Sequence, residues 1–246
     1  MKTKKIGLLF ALLLLVCCET SATTFSRDEK EMPALDNITV SASPDWQSER
    51  VNTTTGSNYL THIEREVIIE INMLRTDPAV YARKYLMPVR AYYDGNLLKY
   101  PGDIAIATSE GAAPLEECIR ELERTSPRST LSPQKGLVLA ARSHAADQAK
   151  TGATGHTGSD GSSVGTRLNR HGEWSRTAGE NISYGYNDAR KIVISLLIDD
   201  GVPSRGHRIN LLNNSFNVVG IGVGPHREYR NMCVMDFAGG YISKER

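Results

Sequence analysis

This 246-residue sequence has little excess charge of either sign. Lys and Arg total 29 against 28 Asp and Glu, a formal net charge of +1. So even a balance offers no broad basic surface to nucleic acid, and no nucleic-acid partner is expected. No apolar run is long enough to cross a bilayer. The longest clean stretch, Ile6 to Val16, is eleven residues, about 16 Å as helix, roughly half a hydrocarbon core. No HExxH, P-loop or GxGxxG string is present, and no internal repeat. Cysteine is scarce as well. Of four, two lie at Cys17 and Cys18, behind the apolar run, leaving Cys118 and Cys233. What remains is 40% hydrophobic and 23% charged, a composition that excludes wholesale disorder and a polytopic membrane protein and leaves one globular domain, at most two.

Lys2, Lys4 and Lys5 ahead of the apolar run give residues 1–22 the form of a signal peptide. Two exits are open. Cleavage after Ala22 in Thr20-Ser21-Ala22 gives free secretion. Leu15-Val16-Cys17-Cys18 instead resembles a bacterial lipobox, without its usual small residue before the Cys, and would tether the chain to a membrane by lipid on Cys17 or Cys18. Export makes a Cys118–Cys233 disulfide the expectation; closing so long a loop contributes about 4–5 kcal/mol in the chain-entropy model. The alternative is two buried thiols packing as small apolar groups.

Residues 23–60 are rich in Ser, Thr, Asp, Asn and Glu without apolar periodicity and read as a disordered linker, dispensable for folding. From Thr61 the pattern turns helical, with Ile63, Val67, Ile71 and Leu74 on one stripe. Asp77-Pro78 reads as an N-cap and N1 proline opening a short helix through Leu86, and Ser132-Pro133 as a second such start. A short helix across Pro114 to Leu122 carries Cys118. Val138, Ala141, Ala145 and Ala149 face another helix with small residues, ending near Gly152. Further helices are expected over Val164–Arg170, 188–198 and 206–213, and a strand over 177–186. Val218–Gly224 and Met232–Phe237 read as a strand pair around a turn at Pro225–Arg230. Together these predict an α+β fold, helices flanking a small antiparallel sheet.

Six histidines occur: His62, His144, His156, His171, His207 and His226. His156 and His207 sit beside glycines, in Gly155-His156-Thr157-Gly158 and Gly206-His207-Arg208, and between them lies Gly179-Glu180-Asn181. Two imidazoles and a carboxylate suit a divalent metal such as zinc with open positions, or acid–base work near neutral pH. Their separation in sequence carries no spacing signal, so unrelated structural roles stand beside the shared site. His144 reads as packed and His62, His171 and His226 as surface residues. Gly161-Ser162-Ser163-Val164-Gly165 satisfies the hydrolase expression G-x-S-x-G, but a Gly-rich loop precedes it where a strand is needed, and Ser163 reads as a helix cap. Of four N-x-[ST] sequons, at Asn37, Asn52, Asn181 and Asn213, that at Asn181 reads as too enclosed to carry a glycan.

In order along the chain come His144-Ala145-Ala146-Asp147, Gly155-His156-Thr157-Gly158-Ser159-Asp160-Gly161, Gly179-Glu180-Asn181-Ile182, Ser204-Arg205-Gly206-His207-Arg208-Ile209-Asn210-Leu211-Leu212 and Val219-Gly220-Ile221-Gly222-Val223. This series resembles the CAP superfamily of cysteine-rich secretory, antigen 5 and pathogenesis-related proteins, also called the SCP domain, over about 61–243. The resemblance implies a three-layer α-β-α sandwich and a cleft where two His and two acidic residues converge. His156, Glu180 and His207 match three of those four. The fourth is usually a Glu after a Trp on the helix before the second His. Here that helix ends Leu196-Leu197-Ile198-Asp199-Asp200, so Asp199 or Asp200 replaces it with shorter reach, or the carboxylate is absent.

The resemblance implies an exported binding protein with a lipid, sterol, peptide or divalent metal in that cleft and no committed catalysis. The alternatives are a metal-assisted hydrolase, a protease or esterase with His156 and His207 as ligands and Glu180 as general base, and a structural envelope protein with a vestigial cleft.

Overall fold

The computed structural model describes residues 46–244. The expected leader with Cys17 and Cys18, linker residues 23–45 and the Asn37 sequon lie outside the described residues. The fold is α+β. A four-stranded mixed sheet lies between two helical layers.

Among the described residues, side-chain caps start four of the eight α-helices. Thr61 and Glu64 form a reciprocal capping box at the head of α2 (His62–Thr76). Asp77 caps α3 (Pro78–Tyr81), which runs on through a π turn to Leu86. Past a small three-stranded sheet, β1 (Tyr93–Asp94), β2 (Leu97–Leu98) and β3 (Ile106–Ala107), α4 (Ala113–Leu122) carries Cys118. α5 (Lys135–Thr151) ends on left-handed Gly152. Ser163 caps α6 (Val164–His171) and Asp188 caps α7 (Ala189–Ile198), followed by α8 (Gly206–Leu212).

The main sheet has the order β4 (Ser132–Pro133), β6 (Val218–His226), β7 (Arg230–Ser243), β5 (Gly172–Tyr184). The β6–β7 and β7–β5 pairs are antiparallel, and β4 joins β6 in parallel. Strand alternation sends Val219, Ile221, Cys233, Met235 and Phe237 into the large core shared with α2, α4 and α7. The opposite face carries Gly220 and Gly222 on β6. A Cβ at Gly220 would lie 2.1 Å from the Leu137 backbone, and one at Gly222 2.4 Å from the Arg142 amide nitrogen. Those two glycines let α5 lie directly on the sheet, and its Ala140, Ala141 and Ala145 fit the same close approach.

Four expectations are corrected. Cys118 and Cys233 are free thiols, both fully buried. Burial pushes the Cys118 thiol up to about 12, with the nearby Arg208 charge opposing; burial also raises Cys233, with Glu64 adding to it. Each fills its place as a small apolar group. The end of the expected linker is packed structure: Trp46, Val51 and Leu60 enter the core around α1 (Ser48–Val51). Trp46 Nε1 donates to Met73 O at 2.9 Å, and buried Asn72 donates to Val51 O at 3.0 Å. Ser132-Pro133 is not a helix start; both residues pair with Val218 and Val219, and α5 begins after Gln134. His226 is buried, its Nε2 on Ala153 O at 3.1 Å and its ring against Tyr184.

Candidate functional site

His156 leaves the loop after α5, where Gly155 adopts φ +94°. A side chain at Gly155 would be strained in that left-handed conformation, whatever the space around it. The glycine is clamped on both sides: its N–H donates to the Tyr184 hydroxyl at 2.9 Å, and its carbonyl accepts from Gln148 Nε2 at 2.5 Å and lies 3.0 Å from His144 Nε2. His144 is fully buried, and burial lowers its basicity, with the Gly155 bond opposing.

His156 Nδ1 meets Glu180 Oε1 on β5 at 2.8 Å. The other carboxylate oxygen, Oε2, accepts from Arg167 Nη2 of α6 at 2.6 Å, and Arg167 Nη1 donates to the carbonyls of His156 and Ser162, both at 3.0 Å. One buried guanidinium therefore ties the His156 loop to the carboxylate that orients its ring. Burial opposes ionisation of Glu180, but the His156 bond and the Arg167 charge outweigh it and hold the carboxyl below its ordinary value.

His207 stands at the start of α8 on the opposite helical layer. Asp199 ends α7 in a left-handed turn, φ 57°, a conformation that Asp tolerates better than most residues. Its Oδ1 lies 2.6 Å from His207 Nδ1 and its Oδ2 accepts from the His207 amide at 2.9 Å. Asn181, fully buried beside Glu180, donates to the His207 carbonyl at 2.9 Å and accepts from Asn210 at 2.9 Å.

The two imidazoles come from opposite helical layers and meet at the β5 edge of the sheet, ring centroids 6.4 Å apart and planes 36° apart. Their side chains are 53% and 22% exposed while Glu180 and Asp199 are 1% and 2%, so the rings face solvent and the carboxylates stand behind them. His156, Glu180, His207 and Asp199 are thus brought together. Asp200 is not: its carboxylate turns to the loop before α4 and accepts from the Ser109 and Glu110 amides at 2.7 and 2.8 Å.

Glu180 differs from its expected role as a metal ligand. Both its oxygens are taken by His156 and Arg167, and among the described residues no group of three or more His, Cys, Asp or Glu is placed to hold a metal ion. Ser163 is no nucleophile; it accepts from the Thr166 amide at 3.2 Å as the cap of α6.

Two residues of this region escaped the sequence reading. Arg167 had no signal, being one cation among several on a short amphipathic helix. Asp236 lies on β7 directly across from Glu180, fully buried. The alternation Met232, Val234, Asp236 places it on the inward face and could have exposed it.

The model of the cysteine-rich secretory protein family, CAP, matches residues 81–237. Among solved structures, an outer surface protein from Borrelia burgdorferi is 17% identical, with 45% of this chain and 78% of that chain covered and a TM-score of 0.39. An extracellular protein containing an SCP domain from Bacillus anthracis str. Ames is 24% identical, with 50% of this chain and 37% of that one covered and a TM-score of 0.37. No curated protein matches. The family match spans well over half of the sequence, and the chain belongs to the cysteine-rich secretory protein (CAP) family.

Proposed function

We propose that this chain is an exported CAP-domain protein whose cleft binds a ligand through His156 and His207 and does not transform it. The observation that carries this reading is the paired bracing of the rings. Each Nδ1 lies against a buried carboxylate, and among the described residues neither Nε2 has a protein partner. An imidazole held in this way offers its Nε2 lone pair outward in a fixed direction. Two such lone pairs suit a hydroxyl or amide donor on a lipid, sterol or peptide. They also suit one divalent metal such as zinc, held by the two nitrogens with water completing the shell. A bound metal would supply a cationic anchor for an oxygen-bearing ligand, and with two protein donors its affinity should be modest.

Hydrolysis is the weaker reading because both carboxylates are buried behind the rings they brace, away from the solvent a general base would activate. All four oxygens of Glu180 and Asp199 are engaged within the protein. Extracytoplasmic placement rests on the leader, with free secretion after Ala22 or a lipid tether at Cys17 or Cys18. Among the described residues no helix is long and apolar enough to cross a membrane.

Calorimetric titration of the exported protein with zinc tests the proposal. The expected result is about one equivalent bound, abolished in His156→Ala/His207→Ala while the circular dichroism spectrum is unchanged. Equal heats from the double variant and the parent would reject these imidazoles as the binding groups.

A further inference from the structure

The inner face of β7 is apolar at Met232 and Val234 and then carries a carboxyl at Asp236. Asp236 is 0% exposed, and neither of its oxygens has a hydrogen-bond partner among the described residues. In the strand register its neighbours are Gly220 of β6, which has no side chain to offer, and Glu180 of β5. The charged and titratable groups around it are few. α6 contributes Arg167, already bonded to Glu180; β7 itself contributes Tyr241, whose hydroxyl is spent on Leu168 O; α5 contributes His144, whose charge would act on Glu180. An ionised Asp236 would set two buried carboxylates against one guanidinium with nothing solvating the second, a strongly unfavourable arrangement.

We propose that Asp236 is kept as a neutral carboxylic acid whose O–H donates to the Glu180 carboxylate, making it a positioning residue for the His156 side of the cleft. Glu180 has the capacity, since each ionised oxygen accepts two hydrogen bonds and each uses one, on His156 and on Arg167. Three donors then converge on Glu180 from three directions: His156 from the loop, Arg167 from α6 and Asp236 from the neighbouring strand. A carboxylate held in this way cannot swing, and the imidazole resting on it inherits that fixity. The local electrostatics point the same way. Burial and the Glu180 charge hold the Asp236 carboxyl well above the usual carboxylate range, with Arg167 opposing.

This inference rests on His156 being a cleft residue, but its test needs no ligand, so failure of the zinc titration leaves the test intact. Carboxyl carbon-13 spectra of the exported protein should contain one aspartate that is still protonated at neutral pH and is absent from Asp236→Asn. If every aspartate ionises by about pH 5, near the ordinary range, the proposal is overturned. The second readout is solvent exchange of the two imidazole Nδ1 protons. Asp236→Leu should speed exchange at His156 by about tenfold or more, the effect of one lost charge-assisted hydrogen bond, and leave His207 unchanged. Asp236→Asn keeps an N–H donor and should restore the parent rate to within about twofold. Equal acceleration at both histidines, or no rescue by Asn, would reduce Asp236 to a packing residue.

Discussion

The two paired imidazoles are held by the same chemistry at different range. His207 is braced locally: Asp199, eight residues away, bonds both its ring and its backbone N–H. His156 is braced through tertiary structure: Glu180 comes from β5, Arg167 from α6, and Asp236 from β7 stands behind them. A local brace forms whenever its turn forms. A brace drawn from three elements exists only when the sheet and both helices are assembled, and it buries charge that must stay paired. Removing a member of the His156 assembly should therefore cost global stability, while the His207 brace should fail with mainly local effect.

Glu180→Ala should give the largest loss. It leaves Arg167, 3% exposed in its side chain, buried without its counter-charge, a change that typically costs about 3–5 kcal/mol. Urea denaturation reads this directly, and a loss below about 1 kcal/mol would show that the Arg167–Glu180 pair is not the strut described. Asp199→Ala should cost less, about 1–2 kcal/mol, as for a lost helix N-cap. It should also free the His207 ring, visible as faster Nδ1 proton exchange, with His156 unaffected.

The pH dependence sharpens the contrast, because the two carboxyls on the His156 side act with opposite signs. Glu180 is depressed, so the stability it contributes is present above about pH 4.5, its ordinary value, and is lost as pH falls through the lowered one. Asp236 is raised, so its contribution is complete below about pH 3.8 and declines as pH rises toward the raised value. Asp236→Asn should therefore gain stability relative to the parent as pH climbs from 4 to 7. A constant difference across that range would show that Asp236 ionises normally. The smallest effect belongs to Asp200→Ala, which unties the loop at Ser109 and Glu110 and should cost about 1 kcal/mol or less. His207 exchange should not change; a clear acceleration there would mean that Asp200 supports the ring after all.

The same division between local and tertiary explains what could be read from the sequence. Helix starts at Thr61, Asp77, Ser163 and Asp188 are decided by side chains within three residues, and all are seen in the structure. The first half of β5, Gly172–Arg176, carries no strand pattern, because it is a largely exposed edge with a bulge at left-handed Arg176. Trp46, Val51 and Leu60 were hidden because isolated anchors have no period. The choice between Asp199 and Asp200 turned on one left-handed residue, which sends adjacent side chains in opposite directions. Arg167 and Asp236 escaped because their roles exist only when three elements meet.

Nitrogen-15 spectra of the histidine side chains during a zinc titration test the central claim most directly. Two braced rings presenting Nε2 outward predict that the Nε2 signals of His156 and His207 shift together, saturating near one equivalent, while both Nδ1 atoms keep their protons. If neither Nε2 responds at saturating zinc, or if Nδ1 is the atom that loses its proton, the ring pair is not held as described.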